Sequence, residues 1–485
     1  MSRAPLLLAA ALVAALIVST TAQGLTGIDR GLREREHPPR GSASGGRFLR
    51  DSVIVRFRDG TTPAARGAML RRVDGLTTRA LPDADFDIVT LAPGSDPEGA
   101  AARLDAQPDV DYAQARYRIH PQFVPNDPLY AQQWNYPLLD MERAWDLNPG
   151  ATRAITVAVI DSGVAFWSGF RSYRTIGFPD GPLFFPSLGT VDVPFAAAPD
   201  LGTDRFVAPR DFIWDTSLPV DLDGHGTHVA GTVGQLTDNG TGTAGIAFNV
   251  QIMPIKVADG FWDFVFDSPF VGTDDLAARA IRYAADNGAD VINLSIGRNG
   301  GPAPVVGAAI EYAVGLGAFV VVAGGNNFEE GNDIERYAEL AAGIDGAVSV
   351  GAIDRNRRRA YYSTTGDYIE IAAPGGSQRT GFGGGILQQT LDPDFVETYL
   401  DGPRRYQAPR FDIFTYEFFQ GTSMAAPHVA GLAALLRQQG ITSPAAIEAA
   451  IASFATDLGA PGRDDEFGYG LIDPRATLRG LGLAR

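Results

Sequence analysis

The chain has 485 residues, 45% of them hydrophobic and none cysteine, with a formal net charge of −17. That length allows more than one domain around a sizeable core, and the missing thiols exclude disulfides, thiolate nucleophiles and cysteine metal sites. The acidic surplus argues against nucleic acid and anionic membrane as partners. Lys256 is the sole lysine, so arginine supplies nearly all the positive charge.

The N-terminus has a basic start (Met1-Ser2-Arg3), an apolar run from Leu6 to Val18 and small residues before a cut near Ala22. This is the pattern of a secretory signal peptide, its apolar run shorter than the ~20 residues a membrane span needs. It predicts a secreted protein, extracellular or periplasmic, with no membrane contact once residues 1–22 are removed. Residues 23–50, rich in Gly, Arg, Pro and Ser, have linker composition. Between 51 and 120, Ser52–Phe57, Asp85–Leu91 and Val110–Ala115 read as strands, while Thr62–Val73 and Pro97–Gln107 carry helical patterns. Strand, helix, strand, helix, strand is the order of a small ferredoxin-like α+β unit.

After Pro125–Tyr130 the character changes. Ala154–Ile160, Gln251–Val257, Asp290–Ile296, Ala318–Ala323 and Ala347–Ile353 are apolar strands, and helical patterns fall at about 273–287, 304–316, 424–438 and 443–454. This predicts an α/β domain over 121–485, a mostly parallel central β-sheet with helices on both faces. On such a sheet, ligands sit at the carboxyl ends of the strands.

Three residue types with acyl-transfer chemistry fall at element ends. Ser423 opens a helix in Gly421–His428, where small neighbours keep its hydroxyl accessible and backbone N–H groups point outward. Alone, such a serine is a helix cap. Asp161 follows a buried strand in Val159–Gly163, a place that also suits a turn residue. Among the five histidines, His37 and His120 precede the catalytic unit. His428 lies roughly 140° around the helix from Ser423 and cannot easily reach it. His225 sits at a glycine-flanked helix start in Asp223–Thr232, and His228 lies one turn deeper, as a packed residue would. Ser423 as nucleophile, His225 as proton shuttle and Asp161 as its orienting carboxylate satisfy the logic of a catalytic triad. Asn326, just after the strand in Val321–Asn327, supplies an amide donor for a developing oxyanion.

AVIDSG, DGHGTHVAGT, AGGNN and GTSMAAPHVAG, in that order, resemble the motifs of the subtilisin-like serine proteases, the subtilases. The resemblance spans 121–485 and implies a secreted serine endopeptidase acting on proteins and peptides, with Asp161, His225, Asn326 and Ser423 in the roles above. It implies that Ser295, Ile296 and Gly297, with Ala323, Gly324 and Gly325, flank the first specificity pocket. Gly324, where relatives commonly have Ala, would loosen or deepen that wall. It also implies that residues 51–120 are a propeptide, an inhibitor and folding aid cut away between roughly Tyr117 and Asn126. A thermitase-like calcium site is implied, with side-chain oxygens from Asp127, Asp200 and Asn239 and carbonyls from Leu236, Thr241 and Thr243, the hard donors Ca²⁺ prefers. A second acidic group, Asp215, Asp221 and Asp223, fits either another ion or a solvated loop.

Both intervals between the triad residues are longer than in compact subtilases. The extra length, at about 165–197, 259–272 and 378–418, is rich in aromatics and fits either walls of the peptide cleft or layers over exposed core edges. The alternatives to a general endopeptidase are a processing protease of narrow preference and a non-catalytic binding protein on the same fold.

Overall fold

The structure, a computed structural model, describes residues 48–81, 83–117, 123–180, 183–396 and 407–480. The signal-peptide reading, nearly all of the 23–50 linker, much of the expected cleavage junction, His37, His120 and Tyr406 lie outside them.

The first elements are β1 (Phe48–Phe57), α1 (Pro63–Arg71), β2 (Gly75–Ala80), β3 (Asp87–Leu91), α2 (Pro97–Asp105) and β4 (Val110–Tyr117). Their strands form an antiparallel sheet in the order β2-β3-β1-β4, the ferredoxin-like arrangement. Val53, Val55, Val89 and Leu104 make its core. Both helices begin at side-chain caps, Thr62 accepting from Ala65 N–H and Asp96 from Glu98 N–H, each followed by proline. β2 is an addition to the sequence reading. It is an edge strand exposed from Leu76 to Ala80, so no buried alternation marks it.

The larger region carries α3 (Asn135–Leu138), α4 (Met141–Leu147), β5 (Thr156–Asp161), β6 (Gly169–Arg174), β7 (Phe178–Asp180), β8 (Leu183–Phe185), β9 (Thr190–Phe195) and β10 (Arg210–Asp211). Next come α5 (His225–Gly234), β11 (Gln251–Lys256), α6 (Phe261–Val265), α7 (Asp274–Asp286), β12 (Val291–Leu294), α8 (Pro304–Gly315), β13 (Phe319–Ala323) and α9 (Arg336–Ala341). The chain closes with β14 (Ala347–Ile353), β15 (Ile371–Pro374), β16 (Ile386–Leu391), α10 (Pro393–Val396), β17 (Phe414–Phe419), α11 (Thr422–Gln438), α12 (Pro444–Ser453) and α13 (Pro474–Gly480).

Seven strands form one parallel sheet in the order β10-β11-β5-β12-β13-β14-β15. The five strands read from sequence are all in it, with β10 and β15 added at its edges. Alternation along β5 serves both faces. Val157 and Val159 meet a layer containing Val229 of α5 and Val429 of α11, while Ala158 and Ile160 meet Ile281 of α7 and Ile310 of α8. Burial on both faces is why these strands are continuously apolar. Among the described residues no helix is long and apolar enough to cross a membrane.

The three long insertions pack on one another. The first forms the hairpins β6–β9 and β7–β8, the second holds α6, and the third contains the hairpin β16–β17. Tyr173 of the first stacks on Phe266 of the second at 4.2 Å, and Phe195 of the first stacks on Phe411 of the third at 5.3 Å. Trp262 of the second is buried and donates Nε1–H to Val396 O of the third at 2.8 Å. Most of their aromatic rings therefore build an added layer over the core edge, as the second of the two sequence readings has it.

Candidate active site

β5 ends at Asp161, fully buried, one strand away from the exit of β12. Asp161 Oδ1 accepts from Ser162 N–H at 2.7 Å and meets His225 Nδ1 at 2.6 Å. A carboxylate partner fixes the proton on Nδ1 and leaves Nε2 as the basic atom of the neutral ring. Gly226 allows this approach, since a Cβ there would stand 2.1 Å from Gly163 O. Burial opposes protonation of His225, but Asp161, with Asp223 and Asp221 behind it, outweighs burial and lifts the imidazole to about 9.

Ser423 lies in the first turn of α11, half-buried at the exit of β12. It is tied to Ser295 in both directions. Its Oγ donates to Ser295 O at 3.1 Å, and Ser295 Oγ donates to Ser423 O at 2.8 Å. The Ser423 hydroxyl is thus turned toward the cleft wall and not toward His225, a looser arrangement than a substrate-filled site requires. Asn326 follows β13 and is exposed; its Oδ1 accepts from Thr422 N–H at 2.9 Å and Thr422 Oγ1–H at 3.0 Å. Backbone donation to that atom fixes the amide orientation and leaves Nδ2–H₂ available as a donor. A cavity of about 310 Å³ beside these groups is lined in part by Ser295, Ile296, Gly297, Ala323, Gly325 and Ser423. Gly324 is not part of its wall. A Cβ there would meet Ile369 Cδ1 and Val350 O at 2.8 Å, so this glycine serves close contact behind the wall and does not deepen the pocket. The ends of the second insertion, Asp259 and Gly272, line an adjacent cavity of about 290 Å³.

The other two described histidines are buried. His228 Nε2–H donates to Ile386 O and Glu417 O, its ring stacks on Phe419, and burial lowers its pKa to about 3. His428 donates from Nδ1 to Met424 O and accepts from Asn135 Nδ2–H at Nε2, with its pKa lowered by burial to about 4.

The second acidic group does not converge on an ion. Asp221 is buried and accepts from Ser162 Oγ, Asp223 N, Gly224 N and both N–H and Oγ1–H of Thr227, which organises the start of α5. Asp215 pairs with Arg210, and Asp223 accepts from His225 N–H. The sequence reading missed Asp221, Ser162 and Thr422 as positioning residues; DGHGT and GTS place them beside the motif residues, but their partners are distant in sequence.

At the expected calcium loop, Asp127 and Asp200 are both buried, and neither has an ion-pair partner among the described residues. Desolvation raises both pKa values, that of Asp200 to about 6 with Asp127 adding to the effect. Asp127 accepts from Asp238 N–H, Asp200 from Thr243 N–H and Asn239 Nδ2–H, and Asn239 Oδ1 from Thr241 N–H. The carbonyls of Leu236, Thr241 and Thr243 accept no hydrogen bond among the described residues. The set contains two carboxylates, and among the described residues no three Asp, Glu or His side chains gather at one point.

A parallel sheet with an Asp–His pair at the exit of β5, a serine beside the exit of β12 and an amide at the exit of β13 has the arrangement of the serine-hydrolase class. The chain matches the subtilase family model over residues 152–470 and the fervidolysin N-terminal prodomain model over 36–115. It is 31% identical over 401 residues to a thermophilic serine proteinase of Bacillus sp. (strain AK1), covering 81% of this chain and 80% of that one. Thermitase of Thermoactinomyces vulgaris is 30% identical over 341 residues, 70% of this chain and 94% of the relative. The crystal structure of fervidolysin from Fervidobacterium pennivorans superposes with a TM-score of 0.51 at 25% identity, covering 90% of this chain and 62% of that one. The chain belongs to the subtilase family. It is a serine endopeptidase that carries an N-terminal prodomain.

Proposed function

We propose that Ser423 is the nucleophile of peptide-bond hydrolysis, with His225 as general base and Asp161 as the group that orients it. Ser423 Oγ attacks the scissile carbonyl and passes its proton to His225 Nε2, and Asp161 stabilises the imidazolium. The negative oxygen is received by Asn326 Nδ2–H₂ and the Ser423 backbone N–H. His225 then delivers its proton to the leaving amine, and water repeats the sequence on the acyl-enzyme. The observation that carries this reading is the 2.6 Å Asp161–His225 contact at the strand exit next to Ser423. Because the neutral ring is the base, a pKa of about 9 for His225 places the acid limb of kcat/KM in the alkaline range.

Calcium fits the Asp127–Asp200 corner. Asp127, Asp200, Asn239 and the carbonyls of Leu236, Thr241 and Thr243 would hold it, with two buried carboxylates lacking a cation and three carbonyls lacking a donor among the described residues. The ion would supply structural charge balance, not chemistry. Protein and peptide chains are the substrates, the prodomain over about 51–120 is an inhibitor and folding aid removed by the enzyme itself, and the product is secreted. Extracellular proteases among the relatives, from Dichelobacter nodosus and Xanthomonas campestris, support that placement.

Intact mass of the precursor, incubated with calcium beside Ser423→Ala, tests this reading. Wild type should lose a fragment ending between Tyr117 and Asn126 while the variant stays whole. Its kcat on casein should fall by about 10⁶, the magnitude established for subtilisin. A variant that processes itself, or keeps a tenth of the activity, contradicts it.

A further inference from the structure

The cavity beside Ser423 has a carboxylate in its wall. Glu335, one residue ahead of α9, is 5% exposed and borders the cavity with Gly297, Arg298 and Asn326. Its Oε1 accepts from Arg298 N–H at 2.6 Å and Tyr337 N–H at 3.4 Å. Among the described residues, Oε2 accepts no hydrogen bond and neither oxygen has an ion-pair partner. The neighbouring cations are already committed. Arg298 Nε donates to Asp274 at 2.7 Å and its Nη1 to Asn299 O and Gly301 O, while Arg336 pairs with Glu339 at 2.7 Å.

The position requires a glycine opposite. A Cβ on residue 297 would stand 2.1 Å from Glu335 Oε1, so the carboxylate seats directly against the backbone that forms one wall of the cavity. The Arg298 and Tyr337 N–H groups account for Oε1 only. Oε2 is open to the cavity, so a neutral side chain filling it strips water from the carboxylate without replacing it, whereas a cation of matching reach pairs with it. Burial raises the Glu335 pKa against the pull of the neighbouring N–H groups and the Arg298 charge.

We propose that this cavity receives a lysine or arginine side chain of the substrate, on the acyl side of the cleaved bond, with Glu335 as its counter-ion. The proposal rests on the endopeptidase reading and names its substrate class. An apolar or neutral side chain would leave Glu335 unpaired, and a site that leaves a buried polar group unpaired discriminates strongly.

The test compares kcat/KM on peptides identical except for Arg, Lys, citrulline, Leu or Phe at that position. Citrulline keeps the shape of arginine without its charge, so the wild-type enzyme alone is informative and no variant need fold. Arg and Lys should exceed citrulline and Leu by at least about tenfold, and Glu335→Gln should reduce the Arg-to-citrulline ratio to near one. Equal rates on Arg and citrulline, faster cleavage after Leu or Phe, or an unchanged ratio in Glu335→Gln overturns the proposal while leaving the endopeptidase intact. Failure to cleave any peptide or casein overturns the endopeptidase reading itself, and this proposal with it.

Discussion

Two corners of the catalytic region bury carboxylates and settle their charge in opposite ways. Beside the Asp161 strand, Asp263 and Lys256 are both fully buried and meet at 2.9 Å, and Lys256 Nζ also donates to Ser162 O at 2.6 Å. Trp214 Nε1–H and Gly260 N–H complete the coordination of Asp263. The sole lysine of the chain thus joins the second insertion to the residue next to Asp161. At the other corner, Asp127 and Asp200 are also buried, and among the described residues no Lys, Arg or His pairs with either. A carboxylate with its own cation belongs to the fold. Two without one mark the corner where we propose calcium.

The largest effect should come from removing the internal cation. Lys256→Met leaves Asp263 buried and unpaired and should lower unfolding free energy by about 3–5 kcal/mol in urea titrations, with much of the loss recovered in the double variant Lys256→Met, Asp263→Leu. A loss below about 1 kcal/mol would erase the contrast between the corners. Next, excess chelator should lower the stability of wild type by about 2.7 kcal/mol when calcium had stood at a hundredfold its Kd, and should do nothing to Asp200→Asn. A melting temperature indifferent to chelator removes calcium from the account.

The sign of the pH dependence sharpens the same point. Asp200 has a folded pKa of about 6 against an ordinary 3.8, so the calcium-free fold binds the extra proton and loses stability as pH rises through that window. Calcium requires the ionised form, so the gap in unfolding free energy between calcium and chelator should widen from pH 4 to 7, by on the order of 1 kcal/mol or more. The smallest effect concerns His225. Asp223→Asn keeps the acceptor for His225 N–H but removes a charge, and should move the acid limb of kcat/KM down by a fraction of a pH unit.

Much of this architecture was legible because burial leaves a mark on sequence. β5, β11, β12, β13 and β14 are covered on both faces and spell continuous apolar runs, and glycines and small residues mark the strand exits that carry Asp161, His225, Asn326 and Ser423. β2 left no mark because it is an exposed edge, and β10 is only two residues long. The hairpins β6–β9 and β16–β17 mix aromatics with polar residues whose partners lie in other insertions. Gly324 was misread as part of the pocket wall because its neighbour Ile369 is distant in sequence. Glu335, Thr422 and Asp221 act through contacts that only the fold creates, so none carries a local signature of its role.

The central claim is that Ser423, activated by His225, is acylated, and covalent trapping tests it most directly. A sulfonyl fluoride should add once to the wild-type protein, on the peptide that contains Ser423, and should add far more slowly to His225→Ala. Addition to another residue, no addition, or a rate unaffected by the loss of His225 would contradict the account.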